Sequence, residues 1–441
     1  MTHAEHDRRS DAEQAVRAYA ARAAAGAAAV VDAPDKDIDA ALRRMAKRLE
    51  EARSALLAAN DQDVEAAVAI GMSEGIQDRL RLTDARLDSM QAQLHALAAV
   101  PHEPRDTVIE VRPDGLTLSE CRRPVGVIGA NFEARPKVTL DIASQLLKSR
   151  NAGVLRTGSA ALRSSRALMC QVIRPALSGA GLDPDVLQLL PGADHSAAHA
   201  LVSLPELIPL VILRGSGKST RDLSRAAARH GVRTLAHADG GGVLYVGPAA
   251  DEETVHRLIV ESLDRLGVCN RLNLLLIDRS CYDRLLPGVL ATLDRVGVAA
   301  SLPPHPHPHP LGYEWSLDPT RAATVTVAPA NGPLHAARIA HQETSGLAAA
   351  IATQDPATAA QFIDAYTGTG VFWNSTTRLL DGYKLLRLPE TGTSIDRIPG
   401  PRGPVTFRDL HLRQFVVVPT DTTTGRPQAH TSTHRRETEC G

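Results

Sequence analysis

From Val125 onward, short apolar runs alternate with segments of helical spacing. The runs are Val125–Gly129, Gly153–Arg156, Val186–Leu190, Leu207–Leu213, Thr234–Ala236 and Val243–Val246. Parallel strands cannot be joined by a tight turn; each needs a crossover, usually a helix, that covers one face of the sheet. The alternation therefore predicts an α/β fold with a largely parallel sheet. A second run of the same kind starts near Pro248 and continues to about Asn374. With 441 residues, the chain is too long for one ordinary core and should divide into two or three domains.

The flanks read differently. Residues 1–15 are charged and lack an apolar period, which predicts a disordered tail. From Ala18 to Val100 the spacing is helical, with breaks expected at Asn60-Asp61, Gly71 and Gly75. Thr107–Arg112 and Leu116–Cys121 alternate in polarity around Pro113-Asp114-Gly115, so a β-hairpin is expected over 106–123. The last ordered strand is expected at Gln414–Val418. Residues 419–441, rich in Thr, His and Arg, read as a second disordered tail.

Composition removes several classes of function. Forty-nine basic against 50 acidic residues leave a formal charge of −1, which calls for neither nucleic acid nor an anionic membrane. No apolar stretch approaches the length of a membrane span, and Met1–Arg17 lacks the apolar core of a signal peptide. The five cysteines (121, 170, 269, 281 and 440) show no CxxC pair, so neither a disulfide framework nor a zinc site is expected. This usage fits a reducing cytoplasm, so a cytoplasmic location is expected. The tract Pro303–Pro310 alternates His with Pro; no carboxylate or Cys completes a ligand set. It reads as a stiff surface loop, metal binding being the rival.

Three stretches carry candidate chemistry. Cys269 follows a helix-like stretch (Glu252–Leu266) and Gly267, and precedes the apolar run Leu272–Ile277. A thiol in such a junction is either a small buried hydrophobe or a nucleophile. Leu213–Ser219 contains Gly215-Ser216-Gly217-Lys218, but Ile212 stands where a P-loop needs its first glycine. What remains is a strand-to-helix turn with exposed N–H groups, suited to a cofactor phosphate or to nothing beyond the turn. Arg135 and Lys137 flank Pro136 at a helix start, as phosphate or oxyanion donors or as a solvated basic turn. Asp239–Gly242 is flexible backbone that suits a turn or a close approach.

These pieces, in this order, resemble the γ-glutamyl phosphate reductase branch of the aldehyde dehydrogenase superfamily, from about Asp37 to Val418. The resemblance is carried by Ala58–Val64, Asp78–Thr83, Arg123–Gly129, Phe132–Asp141, Leu147–Arg156 with Gly158-Ser159, and Gly267–Asn270. Asn374–Arg378, Asp381-Gly382 and Arg402–Pro404 complete it. It implies a Rossmann-like cofactor domain with N-terminal helices (16–246), a catalytic α/β domain (247–375) and a return segment (376–418). The hairpin and last strand would form a small oligomerisation region, so a homo-oligomer is implied. It implies NADPH-dependent reduction of an acyl phosphate, γ-glutamyl 5-phosphate or a close analogue, through a Cys269 thioester. A glutamate-kinase-like enzyme would supply the substrate. Cys269 is the implied nucleophile, with the Cys269 and Asn270 N–H groups and Arg135 as oxyanion or phosphate donors. Arg156 and Ser159 would face the adenosine ribose or its phosphate, Gly215 and Ser216 a cofactor phosphate, and Glu314 the nicotinamide ribose. No metal is implied.

The chain departs from this family at three places. Ala236–Val243 lacks the acid and the His of the usual Glu-Thr-Gly-Val-Gly-Asn-Cys-His. Leu386–Ser394 replaces Gly-Leu-Gly-Ala-Glu-Ile-Gly-Ile-Ser-Thr, and Ala340–Gly346 replaces Tyr-Gly-Thr-x-His. A general base matters most for hydrolysing a thioester, so its loss favours the reductive direction. Changes around the expected pocket imply the same chemistry on another acyl phosphate or thioester, or a catalytically weak binding homologue.

Overall fold

The computed structural model describes residues 3–237, 240–318, 320, 323–395 and 402–420. Five helices lead the chain: α1 (His3–Asp32), α2 (Asp35–Glu51), α3 (Arg53–Ala69), α4 (Glu74–Leu80) and α5 (Asp84–Ala99). The disordered tail expected over 1–15 is instead helical from His3, continuing the Ala-rich run whose Val16, Ala20 and Ala23 are buried in the first core. In α2 the buried Ile38, Ala41, Leu42, Met45, Ala46 and Leu49 recur at helical spacing and form one apolar stripe. Asn60-Asp61 does not break α3. Asn60 spends its side chain on other segments: Nδ2 donates to the Leu80 carbonyl (2.9 Å), and Oδ1 accepts from the Leu82 N–H (2.6 Å). It therefore offers no local alternative to the helix.

The hairpin forms as expected from β1 (Asp106–Val111) and β2 (Leu116–Pro124). The first α/β unit follows: β3 (Val127–Phe132), α6 (Pro136–Lys148), β4 (Ala152–Thr157), α7 (Leu162–Leu168), α8 (Arg174–Gly179), β5 (Leu187–Leu189), α9 (His195–Leu201), β6 (Leu210–Arg214), α10 (Gly217–His230) and β7 (Arg233–His237). Its all-parallel sheet has the order β5-β4-β3-β6-β7. Strand order reverses between β3 and β6, the place where doubly wound sheets open a ligand crevice beyond the strands' carboxyl ends.

The second unit comprises β8 (Gly242–Val246), α11 (Glu252–Ser262), β9 (Leu272–Asp278), α12 (Tyr282–Arg295), β10 (Ala299–Ser301), β11 (Thr324–Ala330), α13 (Pro333–Glu343), β12 (Ala348–Ala352), α14 (Pro356–Ala365) and β13 (Gly370–Trp373). Its parallel sheet runs β10-β11-β9-β8-β12-β13. The expected boundary after residue 246 is corrected here. β8 pairs with β9 and β12, so the units divide between β7 and β8. Alternate residues of β8 serve opposite faces: Leu244 and Val246 pack with α11 and α12, Val243 and Tyr245 with α13 and α14.

The chain returns through α15 (Gly382–Leu386), β14 (Gly392–Ser394), β15 (Gly403–Val405) and β16 (His411–Pro419). β16 is longer than expected and pairs antiparallel with β2, giving the sheet β1-β2-β16. Residues 421–441, Cys440 included, lie outside the described residues. The His-Pro tract folds back on the second unit: Ser301 Oγ meets His305 Nδ1 and His307 Nε2 at 3.1 and 2.7 Å, and His309 stacks on Tyr313. Among the described residues no group of three His, Cys, Asp or Glu is set to hold a metal, and no helix is long and apolar enough to cross a membrane.

Candidate active site

β7 passes into β8 through residues 238–241, so the carboxyl edge of the first sheet meets the amino edge of the second. Cys269 lies at this seam, three residues before β9 and beyond α11, which ends at Ser262 rather than at the expected Leu266. The Gly241 N–H donates to the Cys269 carbonyl at 2.7 Å, and the Gly242 N–H to the Arg271 carbonyl at 2.7 Å. The glycine run thus resolves as a close approach of backbone to the Cys269 loop.

Helix α4 holds that loop from the other side. Asp78 Oδ2 accepts from the Gly267 N–H (3.0 Å) and from Arg265 Nε (2.9 Å), while Arg79 Nε donates to the Gly267 carbonyl (2.9 Å). Arg79 also pairs with Glu314 at 2.7 Å, and Glu314 accepts from the Gly240 N–H at 3.0 Å. Glu314, expected at a cofactor ribose, here links helix α4 to the glycine run. Any Cβ on Gly267 would collide with Asp78 and the Gly75 carbonyl. Gly267→Ala is therefore expected to lower kcat by about tenfold to a hundredfold at little cost in KM, read by steady-state kinetics.

Four side chains from the first unit and the return segment face the thiol. His237 ends β7, Arg214 ends β6, Arg135 precedes α6, and Glu390 comes from the segment before β14. Burial pushes the Cys269 thiol up, but His237, Arg135 and Arg214 together outweigh it and bring it down to about 6. Burial, with Arg79 and Arg214 close by, pulls Arg135 below the usual guanidinium range. Burial lifts the Glu390 carboxyl to about 7, opposed by Arg214 and reinforced by Asp381. The expected pair Arg135 and Lys137 separates: Lys137 bonds Asp141 at 2.7 Å, while Arg135 alone faces the thiol.

Asn270 spends its side chain on the return segment. Nδ2 donates to the Leu380 carbonyl (3.0 Å), and Oδ1 accepts from Arg378. Neither the Cys269 nor the Asn270 N–H donates to another backbone group among the described residues, which leaves both for an oxyanion. His237, Arg214, Arg79 and Glu390 are the residues that sequence reasoning missed. The signal for His237 and Glu390 was the divergence at 236–243 and 386–394, whereas Arg79 and Arg214 lie in Asp78–Thr83 and Leu213–Ser219, stretches noted for other reasons. The acid and His expected in the first stretch are absent, yet a different histidine, His237, stands beside the Cys269 thiol.

Of the residues expected at a cofactor, Gly215 and Ser216 follow β6 next to the strand-order switch, while Arg156 and Ser159 lie at the end of β4. Ser216 N donates to Glu133 Oε2 at 3.0 Å, so the start of α10 does offer a seat to an anion, here this chain's own carboxylate. Ser159 is exposed at the end of β4. Arg156 is buried and bonded to Asn131 Oδ1 (2.9 Å) and to the Ala193 carbonyl, so its charge is spent inside the domain rather than offered to a ribose. A strand-order switch beside the start of α10, with Ser159 exposed after β4, is the kind of place where doubly wound sheets take a dinucleotide.

Doubly wound first sheet, separate thiol-bearing second sheet and shared small sheet together define a class. The chain belongs to the aldehyde dehydrogenase family, whose model matches residues 2–308, and it is an oxidoreductase of that family. A nicotinamide cofactor goes with the family. The relatives narrow the likeness. The chain is similar to the γ-glutamyl phosphate reductases of Zymomonas mobilis (35% identical over 351 residues, 77% of this chain and 79% of that one) and Anaeromyxobacter dehalogenans (36% over 373, 79% and 83%). Its fold is similar to that of the γ-glutamyl phosphate reductase of Thermotoga maritima, with a TM-score of 0.78, 28% identity, and coverage of 91% of this chain and 97% of that one.

Proposed function

We propose that the chain reduces an acyl phosphate, γ-glutamyl 5-phosphate or a close analogue, to the semialdehyde with NADPH, through a thioester on Cys269. One observation carries this: a thiol brought to about 6 at a seam where Arg135 and Arg214 converge. A thiolate is the form that attacks an acyl carbon, and two cations at the same point suit a substrate that brings a phosphate to the nucleophile. The names of the relatives support the same substrate. The Cys269 and Asn270 N–H groups, with Arg135, stabilise the oxyanion as the thiolate adds. Arg214, bonded through Nη1 to the Thr391 carbonyl at 2.9 Å, is fixed to receive the departing phosphate. A reduced nicotinamide, when bound, supplies the hydride that turns the thioester into the aldehyde. Ala236, standing where an acid is usual, leaves the thioester without the family's base for hydrolysis, in keeping with reduction.

The test couples the chain to a glutamate-kinase-like enzyme that makes the acyl phosphate in place. NADPH oxidation and phosphate release should rise together, one for one. No NADPH oxidation across a panel of acyl phosphates would sink the reading. A second reading, the same chemistry on a different acyl phosphate or thioester, is favoured by the divergent wall Glu390–Ser394, and the same panel separates the two.

Two further proposals have their own tests. Glu133 at the start of α10 opposes any phosphate placed there, so Glu133→Gln is expected to lower the KM for NADPH by about threefold to tenfold, with a smaller effect on NADH. An unchanged ratio of the two KM values counts against Ser216 as a phosphate contact. The sheet β1-β2-β16 exposes Val108, Ile109, Val111, Leu412, Phe415 and Val417, and among the described residues both its edges are unpaired. Apolar side chains on an open sheet suit a second copy of this chain. Light scattering should give more than one chain per particle in the native protein, and a mass near one chain for Phe415→Asp.

A further inference from the structure

His237 has two ring nitrogens with separate tasks. Nδ1 lies 2.7 Å from the Thr393 carbonyl, an acceptor that fixes the proton on Nδ1. Nε2 is then the basic nitrogen of the neutral ring. It is buried, has no partner at full hydrogen-bond geometry, and the Cys269 thiol is the group it faces. The ring cannot swing away, because its other nitrogen is held by β14 and its backbone by β7. A buried, oriented, otherwise unused imidazole nitrogen against a partly accessible thiol is the arrangement of a nucleophile and its base.

We propose that His237 Nε2 takes the proton of Cys269 and later gives it to the leaving phosphate, with the Thr393 carbonyl as the positioning group. The second half rests on the acyl-phosphate reading; the first does not. The proton passes from Sγ to Nε2, giving thiolate and imidazolium. Sγ forms a bond to the acyl carbon, the bond between that carbon and the oxygen bridging to phosphorus breaks, and its electron pair leaves on that phosphate oxygen. The imidazolium returns its proton to that oxygen, so phosphate departs as the dianion it becomes in water. Hydride delivery and loss of the thiolate then release the aldehyde, and one proton from solvent resets the pair. This matches the single proton that such a reduction consumes.

Charged and titratable groups face the pair from every side: Arg135 before α6, Arg214 from β6 and Glu390 from the return segment, with Arg79 and Glu314 behind Arg135. Arg135 and Arg214 still favour the thiolate when the imidazole is gone. The variant should therefore shift the thiol only part of the way back.

The test is the pH dependence of Cys269 alkylation by iodoacetamide, with Cys269→Ser to subtract the other thiols. In the native protein the rate should reach half its plateau near pH 6. In His237→Gln the half-point should move up by about one pH unit or more. A half-point that stays in place overturns the proposal. Should His237→Gln fail to fold, His237→Asn is alkylated over the same pH range, and a half-point that stays in place there overturns the proposal. Neither measurement uses an acyl phosphate, so failure of the substrate reading leaves both intact. With turnover in hand, His237→Gln should also slow phosphate release by about a hundredfold, in keeping with the loss of a general acid–base group.

Discussion

Cys269→Ala is expected to lower turnover by at least ~10⁴-fold, the scale on which covalent catalysis fails when its nucleophile is removed. The loss should fall on kcat, because the substitution removes the proposed nucleophile and leaves the residues proposed for the cofactor, Ser159, Gly215 and Ser216, unchanged. Calorimetric titration should find cofactor affinity within about twofold of the native value, in line with independent sites. The fold should survive. Cys269 packs at the edge of a small cluster with Leu347, Ala348 and Leu380, so stability should change by about 1 kcal/mol or less. Native turnover should also depend on pH in a definite sense. A thiol at about 6 is thiolate above that value, so kcat/KM should rise through pH 6 and level off near neutrality. Residual turnover of more than a few per cent in Cys269→Ala would remove Cys269 from the chemistry and with it the thioester.

Much of the architecture is legible in the sequence because it is written in local periodicity. The buried strands β3, β4, β6 and β8 are apolar runs, and the hairpin carries its turn in Pro113-Asp114-Gly115. The junction holding Cys269 is legible for the same reason. What fails is whatever depends on which strand lies beside which. Val243–Val246 looks like one more strand of the first unit, since apolar content does not say which sheet a strand joins; only its pairing with β9 and β12 does. The break expected at Asn60-Asp61 fails because the partners of Asn60 are Leu80, Leu82 and Ser164, all distant in the chain. The site divides in the same way. Cys269 and Arg135 sit in stretches that match a family. His237, Arg214 and Glu390 come from the ends of three separate segments and meet only where the two sheets join. Arg156 shows the converse: a matched position whose charge the tertiary structure has already used.

The glycine run at 240–242 yields the sharpest test of how the two sheets hold Cys269. Gly240 is where the connection from β7 crosses the Cys269 loop. A Cβ there would lie 2.5 Å from the Cys269 carbonyl oxygen and 2.8 Å from the Cys269 Cα, both backbone atoms with no rotamer to change. The third neighbour, Glu314 Oε1 at 2.9 Å, could move, but it is held by Arg79. Relief must therefore come from shifting the loop itself, by something near an ångström. The Gly241 N–H bond to the Cys269 carbonyl would lengthen, and Sγ would leave its place among His237, Arg135 and Arg214. A displacement of that size at a reacting atom costs about a hundredfold in rate, so Gly240→Ala is expected to lower kcat by about 10²-fold. The thiol should also lose part of its depression, moving the half-point of alkylation above pH 6. The two effects should appear together, because one displacement causes both. A Gly240→Ala enzyme with native kcat and native alkylation would mean that the loop yields freely, and that its position is set by α4 through Asp78 and Arg79 instead.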